Sequence, residues 1–203
     1  MKHREYFNKM ADKWDQICHH DIVKLKAITK MAYISKGETV LDVGTGTGVM
    51  LPFIRELVGD TGQITAIDLA EKMLEVASQK CPFENVSFVL GDISAVTFPE
   101  SHFDVIMCYS VFPHFQDKPR IVSHMASLLK PKGRLVIAHS QSRNAINSLH
   151  AKLDAVRRDQ LPEAVTIEKY LKEAELTPIL TKDNDEMFVV IGQKNNPSHE
   201  DRL

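Results

Sequence analysis

Three glycines at alternate positions, Gly44, Gly46 and Gly48, follow directly on an apolar run in the stretch VLDVGTGTGVM, Val40 to Met50. A residue without a Cβ takes backbone conformations closed to others and lets a ligand approach the chain itself. A turn of this kind after a strand is therefore a cradle for a nucleotide-like molecule. Spacing excludes two phosphate-binding patterns. The dinucleotide fingerprint GxGxxG needs its third glycine where Val49 stands, and a Walker loop needs a Lys after its last glycine, which Gly48 lacks. What remains is a turn able to pass close to a small zwitterion, with an acid, Asp42, just before it. Two more acids end the next two apolar runs. Asp68 stands roughly 20 residues on, where a carboxylate can accept both hydroxyls of a ribose, and Asp92 is placed to accept from the exocyclic amine of adenine.

Histidine is the second concentration of chemistry. Its pKa near neutrality suits a general base, and neutral imidazoles suit zinc and similar ions. His19 and His20 lie in the N-terminal segment, His114 in the loop SVFPHFQD, His139 at the end of an apolar run and His150 in the segment beyond it. His114 and His139 are the candidate catalytic residues, with His20 and His150 nearby, as bases or as ligands of a divalent metal. Their spacing matches no recognised metal signature, so no metal ligand is assigned. His124 falls mid-helix and His3, His102 and His199 in polar surroundings, and these carry no assigned role. Each feature also has a plain structural reading: a tight turn for the glycines, a helix cap for an Asp, a hydrogen-bonded side chain for a histidine, core for Phe7 and Trp14.

These residues need elements that bring them together. Helical patterns at about Tyr6 to Ile17 and Asp21 to Ile34 precede a strand at Thr39–Val43. The glycine turn opens a helix with Leu51, Ile54, Leu57 and Val58 on one side. Strand and helix then alternate: TGQITAID, AEKMLEVASQK, VSFVLGD, HFDVIMCYS, a helix in DKPRIVSHMASLLKPKG bounded by Asp-Pro and Pro-Gly, and the strand RLVIAHS. A long helix is expected from about Asn144 to Arg158, another near Thr166 to Glu173, then the strands PILTK and MFVVIGQ around the turn Asp183-Asn184-Asp185. Apolar strands separated by helices imply an α/β, doubly wound, Rossmann-like and mostly parallel sheet, with helices on both faces and a C-terminal antiparallel hairpin. Ligands of such sheets sit at the carboxyl ends of the strands. Gly44, Asp68, Asp92, Tyr109 with Ser110, and His139 all stand there.

Composition narrows the partners. The chain has 203 residues, 43% of them hydrophobic, enough for one ordinary core, and is expected to be a single domain over 1–194 with a disordered tail over 195–203. Lys+Arg 25 against Asp+Glu 27 leaves a formal charge of -2, so no overall field favours nucleic acid or an anionic membrane. Three cysteines without CxxC spacing read as reduced thiols, and the charged opening MKHREYFNKMADKWDQ lacks a signal-peptide core. A cytoplasmic protein is expected, with no membrane and no nucleic-acid partner.

The ordered set resembles the class I S-adenosylmethionine-dependent methyltransferases, in their small-molecule branch with a compact ubiquinone/menaquinone-methyltransferase-like domain, from about Tyr6 to Gln193. VLDVGTGTG is similar to the family's first motif, which implies that Asp42, Gly44, Gly46 and Gly48 line the methionine end of the cofactor. IDLAEKML is similar to the second, implying that Asp68 holds the ribose and that Leu69 and Met73 flank the adenine. GDI resembles the third, giving Asp92 the adenine amine and Ile93 a neighbouring backbone donor. FDVIMCYSVFPHF and LLKPKGRLVIAHS look like the fourth strand with its loop and the fifth strand. Tyr109 then joins the cofactor residues, and Trp14, His20, Ser110 and His150 the substrate pocket. The opening YFNKMADKWD resembles the aromatic segment that folds over the cofactor, so residues 1–35 are expected as lid helices and 36–194 as the core.

The implied reaction is in-line displacement of methyl from S-adenosylmethionine onto a small-molecule acceptor. The acceptor atom, O, N, S or C, is left open. No Asn-Pro-Pro-Tyr follows the fourth strand, which argues against nucleobases and glutamine amides as acceptors. Two other classes stay in view: a non-catalytic S-adenosylmethionine-binding partner or regulator, and a nicotinamide-dependent oxidoreductase, the latter disfavoured by Val49 and by the third acid, Asp92.

Overall fold

A computed structural model describes residues 3–196. Its helices and strands follow the expected alternation. The N-terminal segment is α1 (His3–Met10), a 3₁₀ turn (Ala11–Lys13), α2 (Trp14–Ile17) and α3 (Ile22–Met31). Then come β1 (Thr39–Val43), α4 (Leu51–Val58), β2 (Gln63–Asp68), α5 (Glu71–Lys80), β3 (Val86–Leu90) and β4 (Phe103–Tyr109). A 3₁₀ turn (Phe112–His114) leads to α6 (Lys118–Leu128), β5 (Leu129–His139), α7 (Arg143–His150), α8 (Ala164–Glu173), β6 (Leu176–Asp183) and β7 (Phe188–Lys194).

The seven strands form one sheet in the order β3-β2-β1-β4-β5-β7-β6. β1 to β5 pair in parallel, while β7 runs antiparallel to both β5 and β6. The expected mostly parallel sheet with a C-terminal antiparallel hairpin is thus present. The winding reverses between β1 and β4, which opens a crevice at their carboxyl ends.

The apolar strands are explained by burial on both faces. Along β4, Val105 and Met107 join the core under α3 and α4, while Ile106 and Cys108 join the core under α6 and α8. β1 divides likewise, Val40 to one side and Leu41 and Val43 to the other. Strands sandwiched in this way have no face for polar alternation.

Three local expectations are corrected. The segment Tyr6 to Ile17 is two short helices joined by a 3₁₀ turn. Pro131–Gly133, expected as the stop between a helix and the strand RLVIAHS, lies inside β5 as a kink: Lys132 has φ of 65°, and the β4–β5 register shifts between Phe103 and Val105. The long helix from Asn144 stops at His150. There the Asn147 side chain takes both the N–H and the carbonyl of Leu161 (2.8 and 3.1 Å) and His150 Nδ1 bonds the Asp159 carbonyl (2.7 Å), which folds the chain back on itself. At the C-terminal end, Asn195 is still bonded to Thr177 (2.8 Å) and Glu175 (3.3 Å), and the remaining expected tail from residue 197 lies outside the described residues.

Candidate functional site

A cavity of about 710 Å³ opens at the carboxyl edge of the sheet. Asp42, Gly44, Asp68, Asp92, Tyr109, Ser110 and His139 border it from the ends of the five parallel strands, and the N-terminal helices form its opposite wall with Tyr6, Phe7, Met10 and Trp14. Parallel strands end on one side, so residues far apart in sequence meet there without any special device.

The glycine turn is built by three left-handed residues, Gly44, Gly46 and Gly48, with φ of 66°, 55° and 81°. They do different work. A Cβ at Gly46 would meet nothing within 4 Å, so the turn presents bare backbone to the cavity. A Cβ at Gly44 would lie 2.3 Å from Val111 Cγ2, so that glycine lets the β1 turn touch the loop after β4. Gly48 does not border the cavity; a Cβ there would press on Leu51 (3.1 Å) and Ala77 (3.2 Å), so its absence packs the turn onto α4 and α5. Of the three glycines expected at the methionine end, Gly44 and Gly46 therefore border the cavity directly and Gly48 supports the turn from behind.

Acids frame the turn. The Asp68 carboxylate accepts from the backbone N–H groups of Gly46 (2.9 Å) and Ala70 (2.8 Å), tying the first motif to the second. Burial raises its pKa against those bonds. Asp42 is fully buried and accepts from Thr45 Oγ1 at 2.6 Å; burial, with the nearby Asp68 adding, pushes its carboxyl up to about 7. Leu69, Met73, Asp92 and Ile93 border the same end of the cavity, with Met73 and Ile93 buried and Asp92 accepting from Ser94 N at 2.8 Å. The arrangement suits a ligand with a cationic amine near Asp42, hydroxyls near Asp68 and a flat apolar part near Met73.

The other half of the cavity is histidine-lined. Tyr109 Oη bridges His20 Nδ1 (2.9 Å) and Ser140 Oγ (2.8 Å), and burial raises the tyrosine pKa while lowering that of His20. Ser110 holds φ of 55°, a conformation uncommon for a residue with a Cβ, at the end of β4. His114 stacks on His150 with ring centroids 5.1 Å apart, and its Nδ1 lies 2.7 Å from Asp159 Oδ2. Burial lowers the His114 pKa despite the carboxylate. On Asp159 burial acts upward, and the bond from His114 with the charges of His3 and His150 outweighs it, leaving the carboxyl below its usual value. His139 is 1% exposed, and neither ring nitrogen has a hydrogen-bond partner among the described residues; burial first, then the neighbouring His114 and His150, take its pKa down to about 3.

The N-terminal helices are pinned to this floor. Asp15 accepts from Thr47 Oγ1 at 2.6 Å, inside the glycine turn, and pairs with Lys80. Arg4 and Asn8 both reach Glu71 (3.0 and 2.8 Å) at the start of α5. Phe7 packs edge-on against Trp14 (5.5 Å) and His114 (5.4 Å). Sequence reasoning missed two residues here. His3, read as surface, borders the cavity with its Nε2 2.8 Å from Asp159 Oδ2, and Asp159 directly follows the expected helix end at Arg158 with no role assigned to it. The run VRRDQLP around Asp159 carries no signal that would single it out.

Residues 34–188 match the family described as "Methyltransferase domain". The ubiquinone/menaquinone biosynthesis C-methyltransferase UbiE of Psychromonas ingrahamii is 36% identical over 108 residues, 51% of this chain and 43% of that protein. The chain spans about half the length of the curated relatives it matches. Among solved structures, an S-adenosylmethionine-dependent methyltransferase from Aquifex aeolicus aligns with TM-score 0.71 at 20% identity, covering 95% of this chain and 99% of that one. Phosphoethanolamine N-methyltransferase 2 of Haemonchus contortus, solved with phosphomonomethylethanolamine and S-adenosylhomocysteine, aligns with TM-score 0.77 at 17% identity over 95% of this chain and 58% of that one. With the family match spanning most of the chain and the acid-glycine-acid edge in place, this protein belongs to the methyltransferase-domain family, as a class I S-adenosylmethionine-dependent member similar to the UbiE enzymes.

Proposed function

We propose that the protein transfers the methyl group of S-adenosylmethionine to a small-molecule acceptor seated against the histidines. One observation carries this reading: a single cavity joins the buried acids and the bare backbone of Gly46 to a second, histidine-lined compartment. The cofactor supplies an activated methyl on a sulfonium, so the protein has chiefly to align and to exclude water, and alignment alone is worth on the order of 7 to 11 kcal/mol. Asp42 and Asp68 bind and orient at one end. His139, held neutral by burial, offers one free donor and one free acceptor nitrogen at the other. His114, oriented by Asp159, acts with it on the acceptor, and Trp14, His20, Ser110 and His150 complete the pocket.

An N-terminal segment tied to Thr47 and Glu71 serves as the lid over the cofactor. A nicotinamide oxidoreductase is disfavoured by Val49 at the third fingerprint position. A non-catalytic binding partner leaves the second compartment and its free histidine unexplained. No helix of the described residues is long and apolar enough to cross a membrane.

The test has two arms. S-Adenosylhomocysteine should protect the protein against heat where NAD does not. A panel of small O-, N-, S- and C-nucleophiles, scored by S-adenosylhomocysteine formation, should then yield turnover. Equal protection by NAD, or cofactor binding with no turnover on any acceptor, would overturn the enzyme reading.

A further inference from the structure

Three elements distant in sequence converge beside the cavity: the start of α1, the 3₁₀ turn after β4, and the chain beyond α7. They bring His3 Nε2 and His114 Nδ1 to 2.8 and 2.7 Å from the same oxygen, Asp159 Oδ2, and the three donor atoms lie within 4.8 Å of one another. Two imidazole nitrogens gathered around one carboxylate oxygen form a ligand set for a borderline divalent ion, and three protein ligands leave a position open. We propose that His3, His114 and Asp159 bind one zinc-class divalent ion, with the open position facing the cavity.

A second observation points the same way. His139 borders the same cavity, is 1% exposed, and has no hydrogen-bond partner on either nitrogen among the described residues. A buried imidazole is almost always satisfied, so this one is arranged for something that enters the cavity. Around the cluster the supporting contacts are already made. His150 stacks on His114 at 5.1 Å and donates to the Asp159 carbonyl at 2.7 Å, fixing both the ring and the loop that carries the carboxylate. Such outer contacts orient metal ligands. Lys118, the cation near Asp159, is occupied by the carbonyls of Pro113 (3.0 Å) and Phe115 (2.7 Å).

The open position would take a small molecule with an oxygen, nitrogen or sulfur donor. A thiol or hydroxyl bound there would lose its proton to solvent at a lower pH than when free. That consequence rests on the methyl-transfer reading; ion binding itself does not.

The test uses the full chain without an affinity tag, stripped with a chelator and titrated with zinc alone against a chromophoric competitor. One equivalent should bind. His114→Ala and Asp159→Asn should each weaken it at least tenfold, while His102→Ala leaves it unchanged. Cobalt(II) in place of zinc should show visible bands of low-symmetry coordination. On the unsubstituted protein, zinc should also protect His3 and His114, but not His102, from carbethoxylation read by mass spectrometry, which keeps the proposal testable if a variant fails to fold. No stoichiometric binding, binding indifferent to both substitutions, or absence of protection would reduce the cluster to a His–Asp–His hydrogen-bonded network. S-Adenosylhomocysteine affinity of the stripped protein reads the methyl-transfer proposal separately.

Discussion

At the scale of the residue, Asp42 has the most distinctive environment. Its carboxyl, with a folded pKa of about 7 against the usual 3.8, binds a proton more tightly in the folded chain than in the unfolded one. The stability this group lends is therefore whole below the unfolded pKa and is lost as pH rises through the folded one. A difference of that size corresponds to on the order of 4 kcal/mol. Asp42→Asn should match the parent near pH 4 and be more stable at pH 8 in denaturant unfolding, while binding S-adenosylhomocysteine at least tenfold more weakly. A variant with no stability gain at pH 8 would show that Asp42 is charged and solvated in the free protein. The glycines make a second prediction, because their Cβ positions meet such different surroundings. Gly46→Val should fold, with a left-handed backbone costing about 1–2 kcal/mol, and should lose cofactor binding. Gly44→Val, driven into Val111, should instead fail to fold or melt far lower. Circular dichroism and calorimetry on both variants separate the two roles, and retained binding in folded Gly46→Val would remove the turn from the cofactor site.

At the scale of the element, the N-terminal helices are held on by contacts that differ in kind. The links from Arg4 and Lys80 are exposed ion pairs, each worth roughly 0–1 kcal/mol. The bond from Thr47 to Asp15 is part-buried and reaches into the glycine turn, so it couples the N-terminal helices to the cavity floor. Asp15→Ala should raise hydrogen exchange across residues 3–17 and speed cofactor release severalfold, while exchange in β1 and β4 stays slow. Uniform acceleration throughout the sheet would mean that the segment belongs to the global folding unit. The same scale explains the misread end of α7. Leu149, Leu153 and Val156 keep helical spacing, but the chain turns because Asn147 and His150 bond forward to Leu161 and Asp159, contacts that no local pattern announces.

At the scale of the whole molecule, ligand binding and folding share one edge of the sheet. A ligand present at 100 times its dissociation constant stabilises the folded state by about 2.7 kcal/mol. For a chain of this size each kcal/mol moves the midpoint by roughly 2–4 °C. S-Adenosylhomocysteine should thus raise Tm by about 5–10 °C, and NAD should leave it unmoved. The near balance of 25 basic and 27 acidic residues makes that shift largely insensitive to salt, since no long-range field assists the ligand.

The fold and the meeting of the strand-end residues at one edge were legible because both rest on local rules. Apolar runs too continuous for a one-sided sheet imply burial on both faces, and parallel strands carry their last residues to one edge, so Asp42, Asp68, Asp92, Tyr109 and His139 had to meet there. The sequence also determined that three residues without Cβ would follow Asp42. Which of them opens on the cavity and which packs a helix was decided only by tertiary packing, because the difference lies in what surrounds an absent atom: Val111 at Gly44, nothing at Gly46, Leu51 and Ala77 at Gly48. The histidines show the same division. His114, His139 and His150 could be placed on one side from strand order alone. Their company could not, since His3 and Asp159 reach them across 111 and 45 positions of chain (114 − 3 and 159 − 114), through an N-terminal helix laid over the sheet and a loop folded back by side-chain bonds. Pairing over such distances depends on how finished elements pack, a property of the assembled molecule and of no segment within it.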